Sequence, residues 1–553
     1  MKTDLDRFLD QVARFQRRRT GGSSPTALLK DTCTVLHHFF DQARKDAAEG
    51  HARMQVAAPP TGSGKSTATL VYAAHLWRTR RQRTVILVPT IRMADAMYRE
   101  ARLLFDDPGE YADTINVFTT AHRTDISPRT RQAACEDHGL LRDNPAITLS
   151  QLPDWPILIV TQNFWMDKHG HMATEGRSLI VLDEWTGKVE THLVRLGELD
   201  SLRDWYDRKT PAIAPEGSKI SRDRTSRDLQ DIAIALRTAY SGMKESGKAG
   251  RYLPLTTDKV EAVARVADRW RNERESLAAL ADPTGYCGAE PLREWLDRLF
   301  GFIAALDKGQ VFKVRHHQDV GYGSAFMGYS VKYEIQPGIV LLDATGRLDG
   351  VSQIVNWRDD SCTEVPVVDY GDLQPFIVDK PAALVTPKPR AASAIAENQG
   401  GCLEVWVDWV RWLIDGTLGD AERALVICPR KLLNHVPADL KAALGDRLSL
   451  TSWGHHVGSN EWKDVDVVYL LDEFHRPRDM HIAHVRGLQG DEESRRPTEE
   501  NLQDAQSVLL KGDYEAYRDG QLLAAFVQGA SRGRLRQVDE HGRCLPMLPP
   551  LEN

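Results

Sequence analysis

The residues best suited to chemistry begin at positions 58–67, the run Ala-Pro-Pro-Thr-Gly-Ser-Gly-Lys-Ser-Thr. A short apolar segment, 54–58, precedes it and a helix-like segment, 67–78, follows. Strand, glycine loop and helix is the order a phosphate-binding loop requires. Gly62 and Gly64 let the backbone curl so that its N–H groups point inward at phosphate oxygens. Pro60, Thr61, Ser63 and Thr67 complete the cradle around them. Lys65 is placed to reach β- and γ-phosphates, and Ser66 to offer a hydroxyl to Mg²⁺. Pro59 stands where the GxxxxGK[ST] pattern has its first glycine. The loop implies a nucleoside triphosphate and leaves open what its energy is used for.

A second centre is acidic. The apolar run 178–182 ends in Asp183-Glu184. Acids at the carboxyl edge of a buried strand sit where open α/β sheets bind ligands. Asp183 is expected to hold Mg²⁺, directly or through water. Glu184 is expected to orient or deprotonate an attacking water. Asp472-Glu473-Phe474-His475 also follows an apolar strand. It lies far beyond the first αβ block, so it reads as the end of a strand in a second domain.

The elements that must position these groups follow from periodicity. Residues 1–50 show helical spacing at Phe8, Val12, Phe15, Leu28, Leu29, Val35 and Phe39. From 54 to about 186 apolar strands alternate with helices: 54–58, 84–89, 114–118, 156–161 and 178–183. Continuous apolar runs of this kind suit a parallel sheet buried on both faces. From about Leu193 to Lys308 the spacing is helical, and a hairpin-like section follows at 311–317 and 325–335. Its residues Phe312, Lys313, Phe326 and Tyr329 read better as a hairpin with a buried aromatic face than as a base-stacking surface. The strand pattern returns at 338–346, then at 382–387, 424–429, 448–453 and 466–472.

Bulk properties narrow the classes. The chain has 553 residues, enough for about three domains. A net charge of −7 excludes a bulk polycation, so a nucleic acid must be held by a local surface. The seven cysteines contain no CxxC pair, which argues against a zinc ribbon or iron–sulfur cluster. No apolar run approaches the roughly 20 residues that span a bilayer, and the N-terminus lacks an apolar signal region. A cytoplasmic location is the expectation.

At this point the chain resembles the superfamily 2 helicases and translocases. The motifs that carry the resemblance are PPTGSGKS (59–66), ILVPTIRMADAM (86–97), IVTQNFW (159–165), DEWT (183–186), DATG (343–346), LVICPRKL (425–432), TSWGHHVGSNEWKDVD (451–466) and QGASRGRLR (528–536). Their order and spacing are the specific signal. DEWT departs from DEAD or DEAH, and DATG from the usual SAT. The insertion after Asp183 is placed as in DinG-like and nucleotide-excision-repair type helicases, without their cluster cysteines.

The resemblance implies an α/β fold: two RecA-like parallel-sheet P-loop NTPase domains with a mainly helical insertion in the first. The expected bounds are 1–50 for an N-terminal helical segment, 51–192 for the first RecA-like domain and 193–336 for the insertion. Residues 337–375 return to the first domain, and 376–553 form the second. The resemblance implies an ATP- and Mg²⁺-dependent motor moving on nucleic acid, DNA before RNA. The alternative is a nucleotide-dependent switch or scaffold. By the same resemblance Pro89, Thr90 and Thr161 face the nucleic-acid backbone, and Gly458, Ser459 and Asn460 line the cleft from the second domain. Thr345 links the ATP site to that surface, and Gln528 contacts the nucleotide. Arg532 is the expected arginine finger, with Arg536, or else Arg534, as the second.

Overall fold

The computed structural model describes residues 2–105, 108–138, 140, 147–167, 169–185, 189–208, 222–245, 255, 260–271, 292–315, 324–362, 365–366, 368, 377–381, 384, 391–419, 422–456, 461–472, 474, 476–490, 502–534 and 543. The chain divides into two compact units. One holds Met1–Thr186, Tyr333–His475 and Arg518–Asn553; the other holds Gly187–Lys332 and Arg476–Tyr517. No described helix is long and apolar enough to cross a membrane.

The first unit is built on a seven-stranded parallel sheet. Its strands are β1 (Met54–Ala57), β2 (Thr84–Val88), β3 (Ile115–Phe118), β4 (Ile157–Thr161) and β5 (Leu179–Asp183), joined after the insertion by β9 (Ile339–Leu342) and β10 (Arg358–Asp359). The order is β10-β1-β9-β5-β2-β4-β3, parallel throughout. Every residue of β1 to β5 and β9 is buried, the amides Gln55 and Asn116 included, as strands of a parallel sheet covered on both faces require. Two helices, α1 (Asp4–Thr20) and α2 (Ala27–Glu49), pack against α3 (Lys65–Arg80), which follows the glycine loop. Thr3 and Asp6 form a reciprocal cap that starts α1, and Gly21 at φ 72° ends it. Phe8, Phe40 and Tyr72 close this layer, with Phe8 edge-on to Tyr72 at 5.4 Å.

One arginine locks the amino ends of the central strands. Arg177 is 7% exposed and donates to the carbonyls of Ala173 (2.5 Å), Thr84 (2.8 Å), Trp155 (3.0 Å) and Leu152 (2.8 Å). Burial pushes its guanidinium down to about 9.

The same unit holds a smaller parallel sheet, β12-β11-β13, made of β11 (Ala424–Cys428), β12 (Leu448–Ser452) and β13 (Val467–Leu470). The helix Cys402–Thr417 covers it with Trp406, Val410, Leu413 and Ile414. The end of the helix Leu502–Ala530 approaches it closely, since a Cβ on Gly529 would lie 3.0 Å from Leu470 Cδ2. Of the strand expected at 382–387 only Leu384 is described, and it lies outside any strand. The molecule is thus α/β with two parallel sheets.

The second unit centres on an antiparallel sheet, β6-β8-β7: β6 (Val189–Arg195), β7 (Val311–Arg315) and β8 (Ser324–Val331). Helices Leu196–Arg208, Arg222–Glu245, Glu261–Arg271 and Leu292–Asp307 share a core with it around Trp270, Phe302 and Phe326. Two boundaries differ from the sequence reading. Strand β6 belongs to the insertion, because it pairs antiparallel with β8 from Val189 to Arg195, so the insertion does not begin at 193. Residues 476–517 also belong to this unit rather than to the second αβ region. The helix Arg478–Gln489 packs on β6 and β8, and Gly487 permits it: a Cβ there would meet Val189 Cγ1 at 2.6 Å.

Candidate nucleotide site and nucleic-acid groove

The glycine loop closes as a turn, with the Ser63 N–H donating to the Pro60 carbonyl at 3.3 Å. Gly62 (φ 84°) and Gly64 (φ 93°) occupy the left-handed region open to glycine. Gly64 has a second reason: a Cβ would sit 2.5 Å from Leu29 Cδ1 on α2. Gly64 caps α3 without any side-chain hydrogen bond, so the first-turn N–H groups of a 16-residue helix face the loop with no side-chain acceptor. That leaves the partial positive end of the helix for an anion. Ser63 Oγ is buried with no hydrogen-bond partner among the described residues. Pro60, Thr61, Lys65 and Ser66 are half-buried along the loop. Thr67 is buried, and its Oγ1 accepts from Arg19 Nη1 at 3.0 Å.

Because β9 lies between β1 and β5, the carboxyl ends of three neighbouring strands converge. Ala57, Leu342 and Asp183 share one row of the register. The Asp343 N–H donates to the Ala57 carbonyl at 3.1 Å, and the Glu184 N–H to the Leu342 carbonyl at 3.0 Å. Asp183 is 5% exposed, and burial pushes its carboxyl up to about 6. Lys65 opposes that rise by charge and the Ser66 hydroxyl by a hydrogen bond, while Glu184 and Asp343 add to it. Lys65, Ser66, Asp183 and Glu184 are therefore neighbours. An uncapped helix end, an adjacent lysine and a buried carboxylate bonded to a hydroxyl fit a nucleotide's phosphates with Mg²⁺.

Glu184 has φ 60°, a left-handed conformation for a residue with a Cβ. Such a conformation costs roughly 1–3 kcal/mol and persists where the surroundings over-determine it. Three contacts do so. Gln162 Nε2 donates to the carbonyls of Asp183 (2.9 Å) and Glu184 (2.7 Å). The Trp185 N–H donates to Asp343 Oδ2 at 3.2 Å. The third is the Glu184 N–H bond to β9. Asp343 Oδ1 accepts from both the N–H and the hydroxyl of Thr345, each at 2.8 Å. Gln528 Nε2, on the helix Leu502–Ala530, donates to Thr345 Oγ1 at 2.9 Å. A hydrogen-bonded chain thus runs from Trp185 through Asp343 and Thr345 to Gln528.

The departures from the family's residues have local partners. Trp185 lies 5.0 Å from the Tyr333 ring, edge-on, and 5.3 Å from the Arg358 guanidinium. Arg358 in turn grips both carboxylate oxygens of Asp349, at 2.9 and 2.8 Å. Arg532 is 1% exposed in the turn after the long helix. Arg534 pairs with Asp466 at 2.9 Å, which commits it to the foot of β13. Arg536 lies outside the described residues. Asp472 follows β13 with φ 59° and forms an ion pair with Lys380, as the end of a strand in the second sheet.

A cleft of about 450 Å³ opens at the carboxyl ends of β2, β3 and β4. Pro89, Thr90 and Thr161 line it, with Thr119, Arg123, Asn163 and Phe164 among the other walls. Thr90 caps the helix α4 (Ile91–Ala101), its Oγ1 accepting from the Met93 N–H at 3.2 Å. Thr161 caps the one-turn helix Gln162–Trp165. Behind Thr119 lies fully buried His122, which shares a 2.7 Å hydrogen bond with it and which burial pushes down to about 4. Gly458, Ser459 and Asn460 fall outside the described residues. The hairpin of the insertion has the buried face: Phe312, Lys313, Phe326 and Tyr329 are all at most 6% exposed.

Sequence reasoning did not single out Gln162, and it noted Asp343 only as a departure. The available signal was position: Gln162 adjoins Thr161, and Asp343 ends an apolar strand as Asp183 does.

Residues 41–186 match the DEAD/DEAH box helicase family model. No curated protein matches the chain. Among solved structures, a truncated XPD is similar at 12% identity and a TM-score of 0.30, covering 55% of this chain and 92% of that one. The Hef helicase domain of Pyrococcus furiosus is similar at 12% identity and a TM-score of 0.22, covering 82% of this chain and 92% of that one. Similarity at these scores carries no argument about the site.

Proposed function

We propose, from the match of residues 41–186 to the DEAD/DEAH box helicase family model, that the chain is a superfamily 2 motor that hydrolyses ATP to move along a nucleic-acid strand. One observation carries the reading. The phosphate loop, the acidic turn and the cleft of Thr90 and Thr161 share the carboxyl edge of one sheet, with Gln528 bonded to Thr345 beside them. In this reading Lys65 and the α3 amino end hold the phosphates. Glu184 orients the attacking water, and Arg532 stabilises charge that develops in transfer. Ser66 and Asp183 would hold Mg²⁺, which when bound neutralises phosphate charge. Thr90 and Thr161 offer hydroxyls and helix-end N–H groups to the strand backbone, fixing position without reading sequence. DNA is the first partner to test, given where the insertion falls in the sequence.

The experiment is ATP hydrolysis measured without nucleic acid, with single-stranded and duplex DNA, and with RNA. Stimulation by at least one of them is expected, and it should weaken as salt rises. Lys65→Ala should abolish hydrolysis while its melting curve stays that of a folded protein. No stimulation by any nucleic acid would sink the motor reading, and tight ATP binding with negligible turnover would favour a switch.

A further inference from the structure

Gln162 stands between two features the mechanism treats separately. It is 1% exposed, yet its sequence neighbours Thr161 and Asn163 both line the cleft. Its side chain turns the other way, into the Asp183–Glu184 turn. Both acceptors are backbone carbonyls, which can only accept, so the donor end of the amide is fixed on them. Each of the two Nε2 hydrogens has its own carbonyl. The conformation they hold is the left-handed one at Glu184. A shift of the Thr161–Asn163 wall therefore pulls on the carbonyls of the residue that orients the attacking water.

We propose that Gln162 is a positioning residue that couples strand occupancy of the cleft to the placement of Glu184. This rests on the motor reading above. A strand seated on Thr90 and Thr161 fixes the first turn of the helix Gln162–Trp165, and with it the amide that holds the Glu184 turn. Without a strand nothing outside the protein fixes the Thr161–Asn163 wall on which that amide rides, so hydrolysis idles. The residue touches neither nucleotide nor strand, so its removal should act on turnover and not on binding of either.

The test compares wild type with Gln162→Met, which keeps length and removes both donors, and Gln162→Glu, which keeps shape and replaces donors with acceptors. The readouts are kcat and KM for ATP with and without a single-stranded oligonucleotide, and oligonucleotide affinity by fluorescence anisotropy. The expected result is a loss of stimulated kcat of about 10- to 100-fold, the range typical of removing a residue that orients a functional group. Basal kcat should fall too, because Glu184 serves both rates, but by clearly less than stimulated kcat, while KM and oligonucleotide affinity stay within about twofold of wild type. Melting curves identify a variant that fails to fold, and the other then decides. Retained stimulation, an equal loss from basal and stimulated rates, or a change confined to KM would overturn the coupling alone. A wild type that no nucleic acid stimulates would overturn the motor reading and the coupling with it.

Discussion

Asp183→Asn should stabilise the nucleotide-free protein while destroying its activity. In the absence of Mg²⁺ and nucleotide, burial raises the Asp183 carboxyl from 3.8 to about 6. Above pH 6 the folded protein therefore holds a charge that water would solvate better. A shift of about two units corresponds to about 3 kcal/mol. The sign follows from proton binding. Between pH 4 and 6 the folded state binds the proton more tightly than the unfolded state, so wild-type stability falls as pH rises through that window. Asparagine removes the charge but keeps an amide to satisfy, so the net gain should be about 1–3 kcal/mol. At roughly 1 °C per kcal/mol for a chain of 553 residues the melting temperature should rise by about 1–3 °C. The assay is thermal unfolding in EDTA from pH 4 to 8, with variant and wild type in parallel. His122 works in the opposite sense, losing stability as pH falls from 6.5 towards 4, but it is common to both proteins and cancels in the difference. The advantage of the variant should be full at pH 8 and vanish near pH 4. A variant that melts lower than wild type at pH 8, or a difference independent of pH, would refute the argument. Added Mg²⁺ and a non-hydrolysable ATP analogue should reverse the ranking, because they stabilise only the protein that binds them.

Arg177→Met should cost about 3–5 kcal/mol, since four buried carbonyls lose a shared donor; chemical denaturation reads this, and a loss below about 1 kcal/mol would contradict the role given to it. Arg532→Ala should lower stimulated hydrolysis by about 10³-fold or more if it acts as the finger. Arg534→Ala, which only breaks a half-exposed pair with Asp466, should leave the rate within about twofold; equal losses from the two would show that the finger is wrongly assigned.

The sequence displays what is local. Strands β2, β4 and β5 have continuous apolar cores, and the loop at 58–67 carries its chemistry in residue types. What stayed hidden is set by contacts between distant residues. Nothing in residues 338–346 says that β9 enters between β1 and β5, and it is that placement which brings Asp343 to the acidic turn. Gln162 looks like the middle of a short polar run, Thr161-Gln162-Asn163, until the fold gives it two carbonyls. Strand β6, Val-Glu-Thr-His-Leu-Val-Arg, has no clean apolar alternation and runs directly into a helix. The assignment of 476–490 turns on a single missing Cβ at Gly487, legible only once Val189 is seen beneath it.

The strand order also fixes a schedule for synthesis. Strands β1 and β5 have no edge in common; each reaches the other through β9. When the ribosome has completed residue 186 the phosphate loop and the acidic turn both exist, but no strand yet lies between β1 and β5. The whole of residues 187–332 must be made before the strand that bridges them appears. At roughly 5–20 residues per second the nascent chain waits on the order of 10 s or more with three strand edges unpaired, both of β1 and one of β5. A fragment cut at 186 would stay in that state, so the shortest piece in which the glycine loop and the acidic turn are bridged must include β9. Any programme that expresses the recognisable helicase segment by itself should expect aggregation, and should keep the chain intact at least through residue 359.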